Sequence, residues 1–201
     1  MTKASLLLTL TERMSAVLSR VIRLASVVFI TLLTVAAAQV SLPLPFTPVP
    51  LTLQPMIVLL GGAALGARLG MASQVLYLAA GIAGLPVFAA SPVLAQGAAR
   101  LLGPTGGFLL SYPLAAFVAG WFAQRGFDRR YLSSVTAMAA GLGVVFTGGI
   151  AMLALQLAPA LGAGALQAAL QAGFYPFIAA DVVKLFAAAA ILPGVWKIIG
   201  R

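Results

Sequence analysis

The sequence predicts an all-α integral membrane protein with six transmembrane helices, both termini in the cytoplasm and a proline-rich loop on the external side. Of its 201 residues, 62% are hydrophobic and only 7% are charged. A soluble domain carries about 25% charged residues, so this composition cannot supply a water-exposed surface. Long uncharged runs, suited in length to a bilayer, argue against the alternative of a soluble alanine-rich chain.

Prolines divide the long uncharged stretch that separates Arg23 from Arg68. Its first part, Leu24–Val40, is predicted to be the first span. The next part, Ser41–Pro55, contains five prolines and cannot form a regular helix. Proline is accepted in the first turn of a helix, so Pro55 is expected to begin the second span, which ends near Gly66.

The remaining spans follow from apolar runs between polar or glycine-rich breaks. Three of them are predicted at Leu69–Ala83, Phe108–Phe122 and Tyr131–Leu157. A turn at Pro159, Gly162 and Gly164 and a small-residue segment at Ala165–Ala172 then lead to the last span, from Gly173 to Trp196. The glycine-rich stretch Gly84–Gly107 is expected to be an irregular re-entrant loop. Glycines recur at every fourth position at Gly62, Gly66 and Gly70, a pattern typical of closely packed helices.

The distribution of basic residues sets the orientation. With both termini inside, ten basic residues face the cytoplasm: Lys3, Arg13, Arg20, Arg23, Arg68, Arg125, Arg129, Arg130, Lys197 and Arg201. Only Arg100 would lie outside, and Lys184 lies within a span. This bias follows the positive-inside rule, so the net charge of +9 indicates a membrane and lipid environment rather than nucleic acid as a partner.

We expect one membrane domain over residues 1–201. Residues 1–20 are predicted to be a cytoplasmic N-terminal segment, and residues 21–199 a six-helix core. The first twenty residues show no apolar core ending in a small-residue cleavage site, so no removable signal peptide is expected.

The chain has few groups that could perform chemistry. It contains no Cys and no His, and its acids are Glu12, Asp128 and Asp181. This composition disfavours thiol catalysis, a metal site and an intramembrane enzyme, so we predict no catalytic residue, metal or cofactor. A phosphate-binding Gly-x-x-x-x-Gly-Lys-Ser/Thr loop is also missing from the sequence, so any ATP hydrolysis is expected in another chain.

Two charged residues, Asp181 and Lys184, lie inside the last predicted span. The i, i+3 spacing places them on one face, about 12 and 16 Å from a helix start near Gly173. Charges at such depth are tolerated where they face a cavity or a partner. The pair is therefore predicted to be the polar floor of an outward-facing pocket, and a self-neutralising structural ion pair is the alternative.

The proline-rich segment from Pro43 to Thr52 has a stiff, extended backbone. Such a loop loses little conformational entropy when it orders over a ligand. We expect it to act as a lid, with Phe46, Val49 and Leu51 as apolar ligand contacts. A rigid structural connector is the alternative.

Four motifs in this order resemble the BioY family. They are PLPFTPVPLTLQ at Pro43–Gln54, YLAAGIAGLPVFA at Tyr77–Ala89, LLGPTGGF at Leu101–Phe108 and PFIAADVVK at Pro176–Lys184. Together they extend over about 140 residues, and this combination is more specific than any one of them alone.

The resemblance implies a six-helix substrate-binding component of an energy-coupling factor importer in the bacterial cytoplasmic membrane. It implies biotin as the ligand, and a transmembrane coupling protein and ATPase subunits as partners. Asp181 and Lys184 match the Asp-x-x-Lys pair of the family, and Gln96 is predicted to be an amide contact to the ureido ring. The aromatic residues of the motifs complete the expected binding site: Tyr77, Phe88, Phe108 and Phe177.

Two other functions remain open from the sequence. One is a substrate-binding component for another small vitamin, against which the Pro-Phe-Thr-Pro-Val-Pro motif argues. The other is a self-contained carrier or channel, since six spans and one charged pair are compatible with transport without partners.

Overall fold

The all-α class predicted from composition is confirmed. The computed structural model of the protein describes residues 5–11, 14–91 and 95–199. The described chain forms the helices α1 Leu6–Thr11, α2 Ala16–Gln39, α3 Gln54–Leu65, α4 Ala67–Ile82, α5 Ala99–Leu102, α6 Gly106–Ala123, α7 Tyr131–Leu161, α8 Ala165–Gly173 and α9 Tyr175–Ile199. Short 3₁₀ turns occupy Phe127–Arg129 and Gly162–Gly164. Two short strands, β1 Ser41–Leu42 and β2 Leu51–Thr52, pair antiparallel.

The described helices make this a multi-pass membrane protein. Four segments are long and apolar enough to cross a bilayer: Ala16–Gln39, Gly106–Ala123, Tyr131–Gly173 and Tyr175–Ile199. With 12 and 16 residues, α3 and α4 are shorter and extend about 18 and 24 Å. Because the hydrocarbon core is about 30 Å thick, α3 and α4 need a thinner local bilayer to serve as spans.

The turn between α3 and α4 forms where the sequence predicts it. Pro55 lies in the first turn of α3, where its missing N–H costs no helical hydrogen bond. Between the two helices, Gly66 has a φ of +87°, a conformation that is unfavourable for residues with a Cβ. Both helices agree with their predicted bounds to within two residues.

The N-terminal helices extend further than predicted. Helix α2 begins at Ala16 rather than at Leu24, and the Ser15 hydroxyl caps it by accepting a hydrogen bond from the Leu18 N–H at 3.3 Å. The prediction from apolar residues identified only the uncharged part of this helix. The part that it missed contains arginines, which are good helix formers. Ahead of it, α1 packs Leu7 against α2 and α3.

The region around α7 and α8 differs from its predicted bounds. Pro159 was expected in a turn, but it lies inside the last turns of α7, which continues to Leu161. Helix α8 then ends at Gly173, and Phe174 separates it from α9. The expected irregular loop Gly84–Gly107 contains the short helix α5, and its last two residues already belong to α6.

Glycines bring the backbones of α3, α4 and α6 into direct contact. A Cβ on Gly62 would lie 2.3 Å from the Ala116 carbonyl oxygen, and one on Gly70 would lie 2.6 Å from the Gly62 Cα. On Gly120, a Cβ would lie 2.4 Å from the Ala67 nitrogen. The predicted packing role is therefore confirmed for Gly62 and Gly70, whose neighbours are backbone atoms that cannot move aside.

Aromatic side chains fill the core beside the first turns of α3 and α6. Tyr77 meets Phe88 edge-on with ring centroids 5.5 Å apart, and Tyr112 lies 6.5 Å from Tyr77. Phe108 and Phe177 are buried in the same cluster. Phe88, Phe108, Tyr112 and Phe177 of this cluster also line a pocket.

Candidate functional site

Asp181 and Lys184 form the polar floor of a pocket on α9. They lie about 9 and 14 Å from the first residue of this helix, and their side chains form an ion pair. The side chains are 8% and 14% exposed, respectively. The Lys184 ammonium also donates to the Thr52 carbonyl oxygen at 2.8 Å, which joins α9 to β2.

The pocket lies between the N-terminal ends of α3, α6 and α9 and the two loops that precede α3 and α6. The space between its walls is about 590 Å³ when the open mouth is included. It is lined by Val49, Pro50, Leu51, Thr52, Gln54, Pro55, Phe88, Ala89, Arg100, Thr105, Phe108, Leu109, Tyr112, Val145, Phe146, Phe177, Asp181 and Lys184. The lining combines a mainly apolar wall with a few polar groups.

Arg100 contributes a second cation to this pocket. It is 2% exposed, and its guanidinium donates to the carbonyl oxygens of Ala95, at 3.1 Å, and of Ala89. Burial lowers the pKa of Arg100, but a guanidinium stays protonated in proteins. With Asp181 and Lys184 ionised, the lining therefore carries one net positive charge.

A buried hydrogen-bond network behind the pocket links the loop before α3 to the loop after α4. The Gln54 amide donates to the Tyr77 hydroxyl at 2.7 Å, and that hydroxyl donates to the Val87 carbonyl at 3.2 Å. The Thr52 hydroxyl donates to the Gln54 amide oxygen at 3.3 Å. Because Lys184 holds the Thr52 carbonyl, the network connects the charged floor to the loop that follows α4.

Most of the predicted binding residues come together in this pocket, and three do not line it. Those in the lining are Asp181, Lys184, Val49, Leu51, Phe88, Phe108 and Phe177. Tyr77 lies behind the wall and supports Phe88. Gln96 donates to the Ala89 carbonyl at 3.4 Å, so it bonds to the loop itself. Phe46 is 68% exposed and borders a separate depression in the proline loop.

The structure adds polar and aromatic residues that the sequence did not single out. Gln54, Arg100 and Thr105 join the polar part of the lining, and Tyr112 and Phe146 join the aromatic wall. Arg100 had a visible signal, because the predicted topology leaves it as the one basic residue on the external side. The positions of Tyr112 and Phe146 in apolar helices offered no comparable signal.

The geometry is suited to binding rather than to covalent chemistry. A carboxylate supplies hydrogen-bond acceptors, and an ammonium, a guanidinium and an amide supply donors. Aromatic and aliphatic walls would bury the apolar part of the same ligand. Among the described residues, no three His, Cys, Asp or Glu side chains cluster to hold a metal ion.

Comparison with known proteins confirms the resemblance found in the motifs. A model of the BioY family matches residues 9–201. The biotin transporter BioY of Thermotoga maritima is 36% identical over 161 residues, which cover 80% of this chain and 88% of that protein. The probable biotin transporter BioY of Pyrococcus horikoshii is 39% identical over 160 residues, covering 80% and 86%.

A solved structure agrees with this relationship. The crystal structure of the S-component for biotin from an ECF-type ABC transporter superposes with a TM-score of 0.79 at 25% sequence identity, covering 92% of this chain and 95% of that one. Both the sequence and the arrangement of helices therefore lead to the same assignment. The chain belongs to the BioY family.

Proposed function

We propose that this chain captures biotin at the external membrane face and serves as the substrate-specific component of an energy-coupling factor importer. The observation that carries the proposal is the pocket over Asp181 and Lys184 in a member of the BioY family. Relatives named as biotin transporters and the solved biotin S-component support it.

The chemistry of biotin complements the pocket. Its ureido ring offers two N–H donors and a carbonyl oxygen, which match the Asp181 carboxylate and the Lys184 ammonium. Its fused ring and alkyl chain would pack against apolar lining such as Phe108 and Phe177. The net positive lining, with Arg100, favours a ligand that carries a carboxylate.

The proposed topology has six spans: α2, α3, α4, α6, α7 and α9. Both termini then lie in the cytoplasm, and the proline-rich loop lies outside with the pocket. The ten-to-one distribution of basic residues supports this orientation in a bacterial cytoplasmic membrane.

Energised import requires partners. Since the sequence lacks a phosphate-binding loop, the ATPase subunits and the transmembrane coupling protein are proposed to be separate chains. Co-purification of these subunits with the protein distinguishes an importer component from a self-contained carrier, which would transport biotin without them.

The binding proposal is tested by titrating the purified protein with biotin, riboflavin and thiamine. We expect biotin to bind at least about 100-fold more tightly than the others, a difference of about 2.7 kcal/mol. Calorimetry or intrinsic fluorescence measures the affinities. Tighter binding of either other vitamin would assign the pocket to a different substrate.

The topology is tested by single-cysteine labelling, for which the absence of native cysteine is an advantage. Phe46 and Arg130 are both exposed and lie on opposite sides in the proposed orientation. In intact cells, Phe46→Cys is expected to react with an impermeant maleimide, whereas Arg130→Cys should react only after the membrane is opened. Labelling of Arg130→Cys from outside would invert the topology and place the pocket in the cytoplasm.

A further inference from the structure

A second concave site, the basic groove, lies at the end of the helix bundle remote from the biotin pocket. It forms where the end of α3, the start of α4 and the end of α6 meet α1 and the N-terminal half of α2. Its volume is about 1,300 Å³ including the open side, and its lining contains Arg23, Arg68, Trp121 and Gln124. Apolar side chains form the rest of the wall, among them Leu65, Leu69 and Phe117.

The arginines of the basic groove lack an anionic partner in the described part of the chain. The Arg23 Nε is buried and has no hydrogen-bond acceptor. Arg68 is exposed and forms no ion pair with a described carboxylate. The Asp128 carboxylate accepts from Trp196, and Asp181 lies in the biotin pocket. A buried guanidinium N–H without an acceptor is costly, so an anion bound in the groove would relieve this cost.

We propose that the basic groove binds an anionic phospholipid, with the headgroup phosphate on Arg23 and Arg68. A guanidinium matches phosphate oxygens in charge and geometry. The neighbouring apolar wall at Leu69 and Phe117 would hold part of an acyl chain. Because a free phosphate ion has no acyl chain, this wall favours a lipid. Basic pockets between membrane helices on the cytoplasmic side suit anionic headgroups for these reasons.

The position of the groove along the helices supports a lipid as its occupant. Arg68 lies at the first turn of α4, and Trp121 and Gln124 lie at the end of α6. The Arg125 guanidinium covers the Trp121 ring at 3.3 Å from its centroid. Tryptophan and arginine at helix ends are typical of the headgroup region. The inference rests on the proposed topology, which places this end in the cytoplasmic leaflet, and goes beyond biotin capture.

The test compares dioleoyl phosphatidylglycerol with dioleoyl phosphatidylcholine as probes on the detergent-purified protein. Native mass spectrometry measures lipid binding to the wild type, to an Arg23→Gln/Arg68→Gln variant and to an Arg130→Gln/Lys197→Gln control. The control also removes two positive charges, but from residues outside the groove. We expect the wild type to bind phosphatidylglycerol about ten-fold more tightly than phosphatidylcholine, a preference that the groove variant loses and the control keeps.

A single Arg68→Gln variant keeps the test valid if the double variant misfolds. It is expected to fold normally, because the Arg68 side chain is exposed. It should lose several-fold in phosphatidylglycerol affinity with an unchanged melting temperature. Biotin affinity, measured on the same samples, should be equal in all variants. Loss of the lipid preference together with intact biotin binding separates the groove from the proposed transport function.

Four results would overturn the lipid site. Wild-type protein could bind the two lipids equally, or the control could lose the preference as fully as the groove variant. Glycerol 1-phosphate could displace phosphatidylglycerol at equal concentration, which would assign the groove to a soluble anion. The groove variant could keep the lipid preference but lose co-purification with the coupling protein, which would assign the surface to that partner.

Discussion

Replacement of Asp181 by Asn is expected to weaken biotin binding by about 1.5–3 kcal/mol, or roughly 10- to 150-fold in Kd, the worth of hydrogen bonds to a charged group. Asparagine keeps the shape of aspartate but exchanges one acceptor for donors that would face the ureido N–H groups. Lys184→Gln should lose a comparable amount because its cationic donor is removed. Isothermal titration of each purified variant measures the loss.

The alternative is that Asp181 and Lys184 form only a structural ion pair. Removal of one partner from a fully buried pair costs about 3–5 kcal/mol of stability, since the other charge is left unpaired. This pair borders an open pocket, and Lys184 still donates to the Thr52 carbonyl when Asp181 is changed. We therefore expect the ligand-free melting temperatures of both variants to stay close to that of the wild type.

Asp128→Asn provides the matched control. Its carboxylate is buried and accepts from the Trp196 indole N–H at 2.7 Å, remote from the pocket lining. This variant should lose stability and keep its biotin affinity, the reverse of the result expected for Asp181→Asn. Normal biotin affinity in both Asp181→Asn and Lys184→Gln, or a loss that follows a collapsed melting temperature, would show that the pair is structural.

The helices that could be predicted from sequence are those with local boundaries. A proline at the first turn and a glycine in a left-handed turn mark α3 and α4 without reference to the rest of the fold. In contrast, α1 is stabilised by contacts of Leu7 with α2 and α3, so a local pattern does not reveal it. Pro159 also depends on context, because its position near the end of α7 sacrifices only one of the last helical hydrogen bonds.

The same distinction holds for the site. Asp181 and Lys184 are one helical turn apart, so periodicity alone places them on one face. Tyr112 and Phe146 come from two other helices, and only packing brings them to the pocket. Side chains in the proline loop follow no period, so the sequence could not show that Val49 points inward while Phe46 points outward.

The last prediction assigns the lid function to the inward residues of the proline loop. Val49 is 7% exposed, and both Val49 and Leu51 line the pocket, whereas Phe46 is 68% exposed. A Val49→Ala/Leu51→Ala variant removes apolar surface that would cover the ligand, at about 25 cal/mol per Å². We expect a loss of about 1–2 kcal/mol, which is a factor of roughly 5–30, mainly as faster biotin release in stopped-flow displacement.

Phe46→Ala is the matched control on the same loop, and its release rate should equal that of the wild type. Thr47→Val tests the closure itself, because the Thr47 hydroxyl ties the loop to the Ala172 carbonyl at 2.6 Å. Loss of this tether should also speed release, although Thr47 is not part of the pocket lining. A rigid wall would respond to Val49→Ala/Leu51→Ala but not to Thr47→Val. If neither variant changes release, the loop neither covers the ligand nor closes over it.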